Sequence, residues 1–168
     1  MPFARVFLLW LLVLPAPAAH AQDEAAFMQR FVGSFSGSGS VRRNAESGAH
    51  DVSCRMTGAA SGDRLSLQGS CRAMLIFSRD VGAEVQVAAD GSYAGTYIGS
   101  VVGPAAISGR RDGDRIMLDV TWPREVNGDT HATMTITNAG DGSFRILVTD
   151  RLGAGGAEVV VTDVTLSR

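Results

Sequence analysis

The fold turns on one stretch, Asp51-Val52-Ser53-Cys54-Arg55-Met56-Thr57-Gly58-Ala59-Ala60-Ser61-Gly62-Asp63-Arg64-Leu65-Ser66-Leu67-Gln68-Gly69-Ser70-Cys71-Arg72-Ala73. Gly62-Asp63 suits the centre of a tight hairpin turn. As a two-residue loop it sets Ser61 opposite Arg64, Met56 opposite Gly69 and Cys54 opposite Cys71. That register puts Val52, Cys54, Met56, Gly58 and Ala60 on one face with Leu65, Leu67, Gly69, Cys71 and Ala73. Asp51, Ser53, Arg55 and Thr57 share the other face with Ser66, Gln68, Ser70 and Arg72. A slip of one residue would mix the two sets, so the pattern fixes the pairing. Counted from the turn, Cys54 and Cys71 form a non-hydrogen-bonded pair, where Cα atoms approach to about 4.5 Å, within disulfide reach. They are the only two cysteines and lack the CxxC spacing of a redox or metal pair. A structural cross-strand disulfide on the core face is therefore expected.

Outward from this hairpin the chain continues as strands separated by turn signals. Asp90-Gly91, read as a two-residue turn, joins Ala83–Ala88 to Ser92–Gly99. In that register Tyr93 faces Ala88, and Tyr97 shares a side with Glu84 and Gln86; the sequence leaves open whether the tyrosines lie outside or line a polar lumen. Asp112-Gly113 joins Pro104–Arg110 to Arg115–Trp122, setting Gly109 against Ile116, Ile107 against Leu118 and Ala105 against Val120. Over Thr130–Thr137, Ala132, Met134 and Ile136 alternate with His131, Thr133 and Thr135, and Phe144, Ile146 and Val148 answer them. A last strand runs from Val159 to Leu166. The only helix candidate is Gln22 to Val32, with Asp23-Glu24 at its start and Gly33 at its end. Roughly nine or ten strands linked by short hairpins favour an all-β, antiparallel up-and-down barrel with one short N-terminal helix, since closure removes sheet edges. A two-sheet β-sandwich is the alternative.

Residues 1–21 read as a secretory signal peptide, leaving 22–168 as a single β-barrel domain. Arg5 precedes the apolar run Val6 to Leu14, Pro15 and Pro17 break it, and Ala19-His20-Ala21 offers small residues before a cleavage point ahead of Gln22. At about nine residues the run is too short to cross a bilayer permanently. The first cysteine is far from the cleavage point and no Arg-Arg pair precedes the run, which disfavours a lipoprotein and twin-arginine export. The chain of 168 residues carries a formal net charge of −2, which leaves no footprint for nucleic acid and no polybasic membrane patch. No membrane span is expected in the mature chain, and a periplasmic or secreted location follows.

Phe31-Val32-Gly33-Ser34-Phe35-Ser36-Gly37 resembles the Gly-x-Trp opening of calycins, the lipocalin, fatty-acid-binding and avidin group of barrels, with Phe35 where that pattern has Trp. Ala94-Gly95-Thr96-Tyr97-Ile98, Ser108-Gly109 and Val120-Thr121-Trp122 are similar in order to a stretch of avidins. The resemblance implies a ligand-binding barrel in which Tyr97 and Trp122 line the pocket. Pro123-Arg124-Glu125-Val126-Asn127 departs from the Ser/Thr-rich avidin pattern, which argues against biotin.

Chemistry-bearing motifs are sparse. Glu125, Asp129 and His131 fall in one polar loop and are the candidate acid/base set for a hydrolase, but His131 belongs to the solvent side and Asn127-Gly128-Asp129 is ordinary turn chemistry. His50-Asp51 with His131 has no metal-site spacing, and the glycine-rich run Gly33 to Ser40 is followed by no Lys of a phosphate loop. Neither a metal nor a cofactor is expected. The preferred reading is a non-enzymatic barrel binding a small, partly apolar molecule, with Tyr93, Tyr97, Trp122 and Arg124 as ligand-binding candidates. An envelope structural or interaction protein with a solid core is the rival; the sequence names no protein partner.

Overall fold

Apolar and polar residues alternate with period two through most segments, and each alternating run forms a strand. The computed structural model describes residues 17–44, 47–74, 77–153 and 155–168, with side chains from residue 22 onward. Helix α1 (Pro17–Gln29) precedes β1 (Gly33–Val41), β2 (His50–Ser61), β3 (Arg64–Ala73), β4 (Phe77–Val87) and β5 (Ser92–Ile98). There follow β6 (Ala105–Asp112), β7 (Arg115–Val126), β8 (Asp129–Thr137), β9 (Ser143–Arg151) and β10 (Glu158–Ser167). Each strand pairs antiparallel with its sequence neighbours, and β1 pairs with β10, so the sheet is a closed ten-stranded barrel and not a sandwich.

The hairpin of β2 and β3 has the register read from sequence, Ser61 against Arg64 through Cys54 against Cys71. Gly62 has φ 59°, the positive value that the first position of a two-residue II′ turn demands. Cys54 and Cys71 are disulfide-bonded with Cα atoms 4.1 Å apart. Three details differ from the sequence reading. The helix spans Pro17–Gln29 and not Gln22 to Val32; the proposed signal peptide lies mostly outside the described residues, with its last five inside the α1 backbone. The turn after β6 is Gly113-Asp114, pairing Asp112 with Arg115, so partners slide by two and the faces survive. The turn after β4 holds three residues, Ala89-Asp90-Gly91: the Ala88 amide donates to the Ser92 carbonyl (2.8 Å) and Gly91 takes φ 76°. That extra residue pairs Tyr93 with Val87 and Tyr97 with Ala83, turning both tyrosines inward.

Inward-facing side chains fill the barrel as a core. Phe27, Phe31, Phe144 and Phe35 form a chain of edge-on rings with centroids 5.5, 5.4 and 4.9 Å apart, around which Ile116, Leu118, Met134 and Leu166 are almost wholly buried. Phe27 and Phe31 come from the α1 region, which therefore plugs one end of the barrel. Polar bonds fix the plug to the turns around it: Arg30 Nη1 donates to the Asn138 carbonyl (2.9 Å) and pairs with Asp114, and Arg168 Nη2 donates to the Arg30 carbonyl (3.0 Å). Arg111 Nε donates to Glu24 at 3.0 Å, its guanidinium also pairs with Asp23, and the Tyr93 hydroxyl donates to Glu24. Among the described residues no helix is long and apolar enough to cross a membrane.

Candidate functional site

α1 covers one end of the barrel; at the other the strands end mostly in longer loops, and most inward side chains there are buried or half-buried. Tyr97 on β5 and Trp122 on β7 face inward there, separated by the small Ala105 of β6. Their rings meet edge-on, centroids 6.1 Å apart and planes at 66°. Trp122 is 8% exposed, and its Nε1–H has no hydrogen-bond acceptor among the described residues. The Tyr97 hydroxyl is placed against Gly99, where a Cβ would strike it. Burial raises the Tyr97 pKa, and the positive charge of Arg79 partly offsets that rise.

Two more polar groups face this mouth. Asp150 on β9, opposite Ala132, is 3% exposed. It accepts from Asn127 Nδ2 at 3.1 Å and from the Arg151 amide at 2.7 Å. Burial raises its pKa and outweighs both bonds, with the Asp129 charge pushing the same way. Asn127 reaches it because Asn127-Gly128 forms a tight turn with φ 58° and 105°. Arg79 arrives by strand stagger. β5 ends at Ile98 opposite Gly82, whereas β4 continues to Phe77, so the β3–β4 hairpin overhangs the mouth. Arg79, paired with Cys71, has the inward parity of Val81, Ala83 and Val85, as does Phe77 at the tip.

The four candidate ligand residues separate by place. Tyr97 and Trp122 are brought together. Arg124 stands exposed on the same rim, its Nη2 donating to the Val102 carbonyl (3.3 Å) of the loop between β5 and β6. Tyr93 lies at the opposite, plugged end, 1% exposed and bonded to Glu24. In the polar loop, Asp129 accepts the His131 amide at 2.9 Å, Glu125 is exposed and His131 points outward. Among the described residues no group of three or more His, Cys, Asp or Glu side chains is placed to hold a metal. Asp150 and Arg79 were missed in the sequence. Asp150 shares its parity with Phe144, Ile146 and Val148, a signal that was readable, whereas Arg79 lies outside the segment recognised as strand.

Two open grooves of about 650 and 500 Å³ lie on the outer wall, not in the lumen. They form where the outward serines of β1, Ser34, Ser36, Ser38 and Ser40, run between longer side chains such as Arg55 and Arg72.

No protein-family model and no curated protein matches this chain. Among solved structures, the crystal structure of Rv2717c from M. tuberculosis is similar, with a TM-score of 0.68 and 14% identity over 89% of this chain and 96% of that one. At such identity the likeness is one of fold: it agrees with the barrel that the calycin resemblance implied, and it identifies no family.

Proposed function

We propose that this chain is an exported, non-catalytic binding protein that holds a small, partly apolar ligand at the open mouth of the barrel, against Tyr97 and Trp122. The observation that carries the reading is the Trp122 indole N–H, buried and without an acceptor among the described residues. A buried donor left unpaired costs about 1–3 kcal/mol, which an acceptor on a ligand would recover. The ring is held by its edge-on contact with Tyr97, and aromatic surface with a polar tip suits an amphipathic guest.

The surroundings fit. Met74, Phe77, Ile98 and Val101, four of the six exposed large apolar side chains among the described residues, lie at this end of the barrel, while the polar seal at the plugged end leaves the mouth as the way in. Native mass spectrometry of protein recovered from the export compartment tests the reading. A discrete extra mass, lost on denaturation and reduced in Trp122→Phe, is expected; the denatured mass also reports cleavage before Gln22. A bare native mass, with no uptake of an uncharged aromatic dye, overturns it in favour of a solid-core envelope protein.

A further inference from the structure

Two arginines stand on inward-facing positions at opposite ends of the barrel, and they are treated differently. Arg111 at the plugged end is 12% exposed and matched by both Asp23 and Glu24. Arg79 at the open end makes no ion pair or side-chain hydrogen bond with a described residue. Its position is built and not incidental. It pairs with Cys71, whose disulfide to Cys54 ties β3 to β2 at that level, so the base of the overhanging hairpin is cross-linked. The carboxylate facing in at this end, Asp150, is already engaged by Asn127 and the Arg151 amide.

Resting on the mouth-binding reading above, we propose that the ligand is an aromatic or similarly flat oxyanion, a carboxylate or sulfonate. Its charged group sits on Arg79, its ring lies against Tyr97 and Trp122, and the Trp122 N–H takes a second acceptor. Three observations fall at one end of the barrel: an exposed Arg79 guanidinium and a buried Trp122 N–H, each without a partner among the described residues, and the aromatic pair of Tyr97 and Trp122. An arginine fork matches a carboxylate or sulfonate with paired bonds. Phe77 and Val101, exposed at the same end, would cover the uncharged part.

Two dyes of similar size separate the charge from the pocket: 1-anilinonaphthalene-8-sulfonate, an anion, and N-phenyl-1-naphthylamine, which is neutral. Both are titrated into the intact protein and followed by dye emission. The proposal expects the anion to bind more tightly, with binding weakened by salt. Arg79→Gln should weaken the anion about tenfold, the scale of one charge-assisted hydrogen bond, and leave the neutral dye within about twofold. Arg115→Gln, exposed at the plugged end of β7, should change neither. If the neutral dye binds and Arg79→Gln leaves the anion unaffected, the anion site is overturned while the mouth reading survives. If neither dye binds, both fail. Equal loss of both dyes in Arg79→Gln would mean damage to the hairpin and also overturns the anion assignment.

Discussion

The hydroxyl of Tyr93, on β5, donates to the carboxylate of Glu24, on α1, across 69 positions of sequence. With Arg111 on the same carboxylate, this contact locks the plug to the barrel floor. Tyr93→Phe should leave Glu24 short of a donor in a half-buried site and cost about 1–3 kcal/mol in chemical denaturation at neutral pH. The pH dependence follows from the phenol. Burial first, then the bond to Glu24 and its negative charge, raise the pKa well above the ordinary 10. Below that value the phenol is neutral in both folded and unfolded chains, so stability is unaffected. Above it the unfolded chain ionises while the folded one resists, and stability falls as pH rises towards the folded value. Wild type should lose this increment in alkaline denaturation series and Tyr93→Phe should not.

The disulfide closes a loop whose ends are 17 residues apart. Cys54→Ser or Cys71→Ser should lower unfolding free energy by about 2–4 kcal/mol, mainly by releasing the unfolded chain. Urea denaturation of oxidised protein against either variant measures the difference; equal midpoints would contradict it.

A Cβ added to Gly37 would strike the Thr165 carbonyl oxygen of β10, and one added to Gly109 the Met117 carbonyl oxygen of β7. The obstacles are backbone, which cannot swing aside as a side chain does. Gly37→Ala should therefore cost at least the usual overpacking penalty, about 1–3 kcal/mol, whereas Gly48→Ala, with open space around it, should be close to neutral. Thermal denaturation of the two variants side by side makes the comparison.

Asp150 should titrate above the ordinary 3.8, because burial outweighs the bonds from Asn127 and the Arg151 amide. Carboxyl carbon NMR reads this directly. Asn127→Ala removes a bond that favours the anion, so the value should climb further. A raised folded value means that Asp150 favours the fold fully below about 3.8 and loses that contribution as pH rises through the folded pKa. Asp150→Asn should remove this part of the pH dependence.

How much of this was legible depends on the turn at each hairpin. Gly62-Asp63 spaced the Cys54–Cys71 hairpin unambiguously, because apolar residues on both strands agreed with a two-residue loop. Asp90-Gly91 offered much the same turn chemistry, but β4 and β5 carry a glutamate, a glutamine, a threonine and two tyrosines that fit either face. The loop could absorb Ala89 with Gly91 in the left-handed region, and that single residue reversed Tyr93 and Tyr97. The mouth was thus half visible: Tyr97 and Trp122 were named as candidates, but their contact needed the correct register. Arg79 needed the stagger between β4 and β5, which no local pattern records. The plug was recognised as a helix but not as a plug, since the partners of Glu24 lie on strands far along the chain.

Antiparallel pairing of Ser36 with Ser167 and of Gly37 with Leu166 joins the first strand to the last. During synthesis β1 is therefore an open edge whose amides and carbonyls wait for a partner made at the end. The cylinder cannot close until β10 has left the ribosome. For such a topology the hazard is the interval before closure, when an unpaired serine- and glycine-rich edge is available to any other strand.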